Sequence, residues 1–387
     1  MTMNFPVEQL RALRTPFYYY DMNLLQQTID AVKEGIKDKP NYHVHYAVKA
    51  NANPRVLKLI AENGFGTDSV SGGEIHAALE AGVPAHQIVF AGVGKADWEI
   101  ELGIASDIYC FNVESVPELE VINELAQKAD KKVRVAFRIN PEVDAHTHAN
   151  ITTGLAENKF GIAMQDMLPV FQIASRMSHI EVIGLHFHIG SQITTTEPFK
   201  ALALRVNELQ QELAVAGFHV QDINVGGGLG IDYILPDTNP IPDFKAYFDT
   251  FAAHLDLRED QHVHCELGRS IVGQCGTMIS KCLYLKEGVN RKFAILDAGF
   301  TELMRPALYQ AVHVAQNITS PDAPMSTVDI VGPICESSDV FEKGATIPLP
   351  KRGDLIAFRS AGAYGEIMAS TYNCRTLPIA YYSTDFE

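Results

Sequence analysis

The feature of this sequence that most restricts its fold is a regular alternation of short β-rich runs with amphipathic helical runs. A helical run at Leu24–Lys37 comes first, and eight strand-like runs rich in β-branched and aromatic residues follow, separated by helical runs. The eight runs are Tyr42–Val48, Gly66–Val70, Gln87–Ala91, Asp107–Phe111, Val133–Ile139, Val182–His188, Asp222–Val225 and His262–Glu266. Eight strands accompanied by helices predict a closed (β/α)8 barrel, the TIM-barrel architecture. An open doubly wound sheet is the alternative, but its glycine fingerprint usually follows the first strand. Here the glycine run Gly226–Gly228 follows the seventh.

The pattern changes near residue 270, where helical runs become rare and strand-like runs continue. These later runs are Met278–Leu285, Lys292–Leu296, Thr327–Val331, Asp354–Ser360 and Thr376–Tyr382. They predict a C-terminal β-rich domain, a β-sandwich or barrel, and the β-prone segment Phe17–Tyr20 suggests that the N-terminus joins it. We therefore expect a barrel over residues 22–270 and a β-rich domain made of residues 1–21 and 271–387.

Charge and cysteine usage narrow the classes of partner. The 387 residues contain 31 Lys and Arg against 47 Asp and Glu, a formal net charge of −16. Such a surface disfavours nucleic acid and anionic membranes, although a locally basic site can still bind a small anion. No apolar run is long enough for a membrane span, and the first residues lack the apolar core of a signal peptide. Six cysteines without a CxxC pair favour a reducing compartment, so we expect a soluble, cytoplasmic protein.

Polar residues follow the predicted barrel strands at their carboxyl ends, which is where barrel enzymes hold their catalytic groups. In strand order they include Lys49, Asp68, Arg138, His188, the glycines Gly226, Gly227 and Gly228, and then Glu266 with Arg269. Taken singly, each has an ordinary structural explanation, such as an ion pair, a packed histidine or a tight turn. Together, a lysine nucleophile, a glycine cradle with Gly190 and Ser191 beside it, and a buried carboxylate suit pyridoxal phosphate.

With these residues in view, the sequence resembles the diaminopimelate decarboxylases, pyridoxal-phosphate enzymes of the alanine-racemase-like barrel type. Tyr46–Asn51, His186–Gln192 and Gly226–Gly228 are similar to the family's lysine, histidine and phosphate-glycine motifs. Glu266–Arg269 is similar to its EPGR segment, with Leu267 where the family has proline. The resemblance implies that Lys49 is the Schiff-base lysine and that His188 lies flat against the cofactor ring. It further implies a cofactor pocket completed by Asp68, Ser71, Arg138, Ser191, Glu266, Gly268 and Arg269.

The second domain carries the matches that discriminate among substrates. Arg305–Tyr309 resembles the family's RPxLY segment, which implies that Arg305 and Tyr309 bind a substrate carboxylate. The loop Cys335–Asp339 resembles CESxD, which implies that Cys335 is the proton donor and Glu336 the ligand of the distal ammonium, both entering the active site of the partner in a homodimer. Tyr364 lies in a GAYG segment, which implies contact with cofactor and substrate.

The implied reaction is decarboxylation of meso-2,6-diaminopimelate at its D-centre, giving L-lysine, the last step of lysine biosynthesis. A diamino dicarboxylate explains two arginines, since Arg269 and Arg305 suit its distal carboxylate, which ornithine lacks. The same chemistry on D-lysine, D-ornithine, arginine or ornithine is the nearest alternative. A non-catalytic pyridoxal-phosphate carrier would lack the extra β domain. A metal-dependent barrel hydrolase would use the pairs His43/His45, His186/His188 and His262/His264, but two of these lie early in their strands. We expect no metal.

Overall fold

A computed structural model describes residues 5–143 and 159–386 of the chain. Residues 1–4 of the predicted N-terminal part of the β-rich domain lie outside the described residues. The chain forms two compact units. One, here called the barrel unit, comprises Ile29–Gly230 and Asp243–Gly268; the other, the β-rich unit, comprises the segment up to Thr28, Ile231–Pro242 and the chain from Arg269. The predicted limits, 22–270 for the barrel, differ from these units by residues 22–28, 231–242 and 269–270.

The helices and strands of the described residues follow in chain order. The strands are β1 Phe17–Tyr20, β2 Tyr42–Ala47, β3 Gly66–Ser69, β4 Ile88–Phe90, β5 Cys110–Val113, β6 Val133–Asn140, β7 Ile162–Ala163, β8 Ile180–His186, β9 Asp222–Asn224, β10 His262–Leu267, β11 Gly276–Glu287, β12 Lys292–Leu296, β13 Ala315–Asn317, β14 Met325–Val331, β15 Val340–Pro348, β16 Leu355–Phe358 and β17 Ile379–Tyr382. The helices are α1 Val7–Arg11, α2 Met22–Ile36, α3 Pro54–Glu62, α4 Gly72–Glu80, α5 Asp97–Ser106, α6 Val116–Lys128, α7 Met167–Ala174, α8 Glu197–Val215, α9 Phe244–His254, α10 Arg269–Val272 and α11 Arg305–Tyr309.

The barrel unit contains a closed ring of parallel strands, as the sequence predicts. Within the described residues the ring runs β2, β3, β4, β5, β6, β8, β9, β10 and back to β2, and the short β7 pairs with β6 outside the ring. Parallel pairing joins each strand to its neighbours, for example Glu266 of β10 opposite His45 of β2. The (β/α)8 barrel is therefore confirmed, and the carboxyl ends of its strands share one rim.

Local sequence signals explain where several of the barrel helices begin. Ser71 precedes α4 in an extended conformation, and its Oγ accepts the Glu74 amide at 3.2 Å. Ser115 caps α6 in the same way, accepting the Glu118 amide at 3.3 Å. Such caps satisfy amides that have no intrahelical partner, so each helix starts directly after the strand end it follows.

The β-rich unit is built on one mixed sheet. Its strands run β13, β16, β11, β12, β14, β15, and β1 pairs with both β11 and β17. The predicted pairing of Phe17–Tyr20 with the C-terminal domain is therefore confirmed. The core of the unit on this side comprises the buried side chains Leu10, Phe17, Tyr19, Ile279, Leu355 and Ala357.

Two differences from the predicted strands have physical reasons. The fourth barrel strand starts at Cys110 instead of Asp107, because Asp107 ends α5 in the left-handed conformation at φ 57°. Strand β15 was not predicted, since its central residues are exposed and interrupted by Lys343 and Gly344, which hides an alternating pattern. In the described part of the chain, none of the helices has the length and apolarity that a membrane crossing requires.

Candidate active site

Lys49 lies on the barrel rim, in a short 3-10 turn that follows β2 directly. The Tyr46 hydroxyl donates to the carbonyl of Asn51 at 2.8 Å and closes this turn. Lys49 Nζ lies 3.3 Å from Asp68 Oδ2, at the end of the neighbouring strand β3. Burial and then the Glu266 charge raise the pKa of Asp68, and Lys49 opposes only part of that rise. Sequence reasoning therefore placed the lysine and the aspartate in one site, where the aspartate favours its protonated form.

Glu266 occupies the barrel interior and accepts hydrogen bonds from three different strands. Asn112 and Asn224 donate to its Oε1 at 3.1 and 2.8 Å, and His186 Nε2 lies 3.1 Å from its Oε2. Burial alone would raise the pKa of Glu266, but the charge and hydrogen bond of His186, aided by Lys49, hold it well below its usual range. Glu266 is therefore an ionised carboxylate in a buried site, the opposite of Asp68.

The glycine run Gly226–Gly228 follows β9 and forms a tight loop at the same rim. Gly226 has φ +70°, and a Cβ there would meet the Phe187 carbonyl oxygen at 2.2 Å. Its amide donates to the Asn224 side chain at 2.9 Å, and the Gly227 amide lies 3.5 Å from His188 Nδ1. Only glycine fits this backbone, so main-chain atoms occupy the space that a side chain would otherwise fill.

The other predicted cofactor residues belong to the barrel rim or flank it. Arg138, at the end of β6, forms an ion pair with Glu114 at 3.0 Å, and its guanidinium lies 4.7 Å from the Phe160 ring. His188 follows β8, and burial, then the charges of Arg138 and Lys49, hold its pKa well below the usual value, so its ring is neutral. Ser71 caps α4, Ser191 lies in the loop after β8, and Gly268 follows β10.

The predicted substrate arginines come together inside the β-rich unit. Arg269 begins α10 and Arg305 begins α11, and each keeps only 6% of its surface exposed. The Arg269 guanidinium lies 4.9 Å from the Tyr364 ring, and that of Arg305 lies 5.8 Å from the Tyr309 ring. Within the described residues no carboxylate lies within ion-pair distance of Arg305. Two buried guanidinium groups among aromatic rings favour an added anion.

Cys335 and Glu336 lie on an exposed loop of the β-rich unit. Asp339 fixes the loop, because its Oδ1 accepts the Phe300 amide at 2.7 Å and its Oδ2 accepts the Ile334 amide at 2.8 Å. Glu336 Oε1 accepts the Tyr372 hydroxyl at 2.6 Å, while Cys335 is exposed. The loop is therefore ordered and presents its thiol and carboxylate outward.

The histidine pairs of the hydrolase alternative separate to opposite ends of the barrel. His43 Nε2 lies 2.9 Å from His262 Nδ1, and His45 Nε2 lies 2.9 Å from His264 Nδ1, at the amino ends of β2 and β10. These rings border a cavity of about 570 Å³. No group of three or more metal-ligating side chains with suitable geometry occurs among residues 5–143 and 159–386.

The residues on the barrel rim fit pyridoxal 5'-phosphate by the chemistry of their groups. A lysine amine can bond covalently to an aldehyde, an ionised buried carboxylate can pair with a protonated pyridine nitrogen, and glycine backbone suits a phosphate. The Asp68 Oδ1 atom is buried and meets no hydrogen-bond partner in the described part of the protein. This atom can therefore make a hydrogen bond to a ligand in the site.

Sequence reasoning missed several residues that shape these clusters. Asn112 and Asn224 were signalled only as single amides in otherwise apolar strands. Tyr233 and His313, which contact the two arginines, carried no motif beyond their place near the glycine run and the RPxLY segment. Polar side chains whose partners are other polar side chains produce no recognisable pattern in the sequence.

Comparison with known proteins identifies the class to which this fold and rim belong. Residues 25–273 match the family described as pyridoxal-dependent decarboxylase, pyridoxal binding domain. A diaminopimelate decarboxylase from Bacteroides thetaiotaomicron is 62% identical over 381 residues, which is 98% of each chain. The crystal structure of diaminopimelate decarboxylase from Helicobacter pylori complexed with L-lysine has a TM-score of 0.92 at 40% identity, covering 98% of this chain and 94% of that one.

A lysine/ornithine decarboxylase from Vibrio vulnificus, complexed with cadaverine, has a TM-score of 0.84 at only 22% identity, with coverage of 97% of this chain and 96% of that one, and this likeness shows the fold alone. The chain is thus a pyridoxal-dependent decarboxylase of the barrel type. Within that class it belongs to the diaminopimelate decarboxylase family.

Proposed function

We propose that this chain decarboxylates meso-2,6-diaminopimelate at its D-centre to give L-lysine, with the roles of the individual residues as set out below. The observation that carries the substrate choice is the buried pair Arg269 and Arg305, each 6% exposed. A substrate with a distal carboxylate gives these guanidinium groups an anion, whereas ornithine, arginine and the decarboxylated diamines offer none at that end.

In the barrel unit, Lys49 would hold the cofactor covalently and Glu266 would pair with its ring nitrogen. When bound, pyridoxal phosphate supplies an electron sink for the carbon that loses its carboxylate. Glu266 suits its role because three hydrogen bonds and the His186 charge keep it ionised. Asp68, whose pKa is raised, holds a proton beside Lys49 Nζ. His188, neutral, would contact the cofactor ring, and the glycine loop would hold the phosphate. Ser71, Arg138, Ser191 and Gly268 complete the pocket.

In the β-rich unit, Arg269, Arg305 and Tyr309 bind the distal carboxylate, and Tyr364 contacts cofactor and substrate. Tyr364 has φ 57°, a left-handed backbone conformation that few residues other than glycine and asparagine adopt. This conformation sets the direction in which the side chain leaves the backbone. Glu336 binds the distal ammonium and Cys335 protonates the carbon after carbon dioxide leaves. Stabilising the charge that develops at that carbon accounts for most of the rate enhancement.

Cys335 and Glu336 act on the active site of a second copy in a homodimer. Their exposure on a loop fixed by Asp339 supports this reading, since a proton donor has to reach a substrate. Inactive Lys49→Ala and Cys335→Ala subunits, once mixed and shown to exchange, should regain activity in heterodimers, because one of the two sites is then intact. Exchange without any recovered activity would argue against a shared site. A cytoplasmic location is our inference from six free cysteines and biosynthetic relatives.

The substrate assignment is tested by carbon dioxide release from a panel of amino acids. Meso-diaminopimelate should exceed D-lysine, D-ornithine, L-ornithine and L-arginine in kcat/KM by at least about 100-fold, since a substrate without the distal carboxylate forgoes its charged hydrogen bonds with the two guanidinium groups. Equal rates with D-lysine would overturn the role of the distal carboxylate while keeping the reaction type.

A further inference from the structure

The two arginines of the β-rich unit share one hydroxyl group. Arg269 Nη1 donates to the Tyr233 oxygen at 2.5 Å, and Arg305 Nη2 donates to the same oxygen at 3.4 Å. A phenol has two acceptor lone pairs and one hydrogen, so both lone pairs are used and the hydrogen is left to donate. Among the described residues no acceptor for that hydrogen is found. Tyr233 therefore presents a third donor beside the two guanidinium groups.

His313 controls which edge of Arg305 faces a ligand. The imidazole is 4% exposed, its Nδ1 lies 3.0 Å from the Arg359 carbonyl oxygen, and its Nε2 lies 3.3 Å from Arg305 Nε. A carbonyl only accepts and a guanidinium only donates, so Nδ1 carries the hydrogen and Nε2 the lone pair. Because Nε is taken, Arg305 meets a carboxylate through its two terminal nitrogens.

The surroundings hold His313 neutral. Burial and then the Arg305 charge lower the pKa of His313 to about 3, so at neutral pH it remains an acceptor for Arg305. The Tyr233 ring packs edge-on against it, with centroids 5.3 Å apart at 86°. The Tyr233 hydroxyl thus holds both guanidinium groups, and the His313 imidazole holds that of Arg305.

The segment that carries Tyr233 is itself anchored in the same unit. Asp237 forms an ion pair with Arg359 at 2.9 Å, the residue whose carbonyl receives His313. The Gln274 side chain donates to the Asp232 carbonyl at 2.9 Å and accepts the Ser360 hydroxyl. The segment is therefore tied on both sides of Tyr233, which keeps the hydroxyl in place.

We propose that Tyr233 and His313 set the selectivity of this enzyme for a ligand with a distal carboxylate: Tyr233 as a direct hydrogen-bond donor to that carboxylate, His313 as the positioning residue of Arg305. The inference rests on the proposed function, in which Arg269 and Arg305 bind that group. Because Tyr233 and His313 act on the two arginines that would bind this group, both affect binding of the carboxylate end of the substrate and not the chemical step.

The test compares L-lysine with cadaverine, which is lysine without its carboxylate, by calorimetry on the holoenzyme. Tyr233→Phe and His313→Leu should each weaken L-lysine binding about 10-fold, the cost of one hydrogen bond to a charged group, and leave cadaverine within about 2-fold. With meso-diaminopimelate, KM should rise by a similar factor at nearly constant kcat. His313→Gln should restore binding to within about 3-fold, since its amide offers the same acceptor and donor.

The matched control is Tyr284→Phe, which removes a hydroxyl from an exposed tyrosine of the same unit whose ring lies 5.1 Å from the Arg352 guanidinium. It should change neither ligand. Equal losses for L-lysine and cadaverine, or no loss in either variant, would overturn the proposal. Should His313→Leu fail to fold, Tyr233→Phe, which removes one oxygen from a half-buried side chain, decides the question. A wild-type enzyme that binds both ligands equally would instead refute the carboxylate site of the proposed function.

Discussion

The two ends of the barrel each bury a histidine beside a carboxylate, yet we assign catalytic chemistry to the carboxyl end alone. At the carboxyl end, His186 Nε2 lies 3.1 Å from Glu266 Oε2. At the amino end, His264 Nε2 lies 3.4 Å from Asp222 Oδ1, and the Tyr109 hydroxyl donates to Asp222 Oδ2 at 2.6 Å. The two ends contain the same residue types, and in the sequence the histidines of each end occur as HxH pairs.

The difference lies in what else each pair meets. Around Glu266 stand a lysine, a second carboxylate with a raised pKa and a glycine loop, all at strand ends. Around Asp222 stand the imidazoles of His43, His45, His262 and His264, paired with one another at 2.9 Å. A buried histidine–carboxylate pair is therefore no sign of catalysis by itself. Whether such a pair takes part in catalysis depends on its position along the strand and on the groups that surround it.

Lys49→Ala gives the largest expected effect on this contrast. Removing the amine should lower kcat by at least about 10⁴-fold, as loss of a covalent catalytic group does, and should remove the visible absorption of bound cofactor. The free energy of unfolding of the cofactor-free protein should change by less than about 1 kcal/mol, since Lys49 is 40% exposed and the fully buried Asp68 already favours its protonated form. An unchanged visible spectrum would contradict the covalent role of Lys49.

Glu266→Gln and Asp222→Asn form a matched pair across the barrel. Glu266→Gln should lower kcat about 100- to 1000-fold, because an amide carries no charge for the ring nitrogen, a loss on the scale of a deleted electrostatic contact. Asp222→Asn should lower kcat less than about 2-fold while destabilising the fold. Steady-state kinetics and urea unfolding measure both. Comparable losses of kcat in the two variants would erase the difference between the ends.

The buried histidines at the amino end of the barrel should make the stability of the fold sensitive to acid. Burial, and then the His264 charge, lower the pKa of His45 to about 3, while its unfolded value is about 6.5. The unfolded chain thus binds the extra proton first, so this stability is complete above pH 6.5 and falls as the pH drops toward 3. The loss from His45 is about 3 kcal/mol by pH 4.

His45→Gln isolates this contribution, because glutamine keeps a donor for the Gln87 carbonyl and does not titrate. Urea unfolding at pH 7 and pH 4 should show the variant weaker at pH 7 and the gap closed or reversed at pH 4. Parallel pH profiles for both proteins would rule out His45 as the source.

Tyr109→Phe gives the smallest expected effect. It removes the hydroxyl that donates to Asp222 but keeps the ring, whose centroid lies 5.4 Å from that of His264. Stability should fall by about 1–2 kcal/mol, the cost of an unsatisfied carboxylate oxygen, with kcat unchanged. A measurable loss of kcat would indicate that the amino end communicates with the rim.

The architecture was readable from the sequence because hydrophobic periodicity is local. Eight alternating runs predicted the barrel, and Phe17–Tyr20 predicted a strand that the β-rich unit uses. Strand limits were less readable, since Asp107 ends a helix through its own backbone conformation and not through hydrophobicity. Strand β15 became visible only through its partner β14.

The candidate site divides in the same way. Residues in motifs, such as Lys49 and Glu266, could be named in advance, and their roles remain predictions. The residues that set the electrostatics of those groups could not. Asn112 and Asn224 act on Glu266 from strands that are distant in sequence, and Tyr233 acts on both arginines across 36 and 72 residues. Contacts between residues so far apart in sequence form only when the chain folds.

The glycine loop has a consequence for how this enzyme can change. A methyl group on Gly226 would stand 2.2 Å from one backbone oxygen, and one on Gly227 would stand 2.0 Å from another, the carbonyl of Glu266. The first oxygen, that of Phe187, cannot yield without moving the chain that follows β8, and the second cannot yield without moving β10, the strand that holds Glu266. Random mutagenesis aimed at new substrates should therefore recover almost nothing from this loop. Variation that survives selection should accumulate in the β-rich unit, where we assign the choice of ligand to side chains.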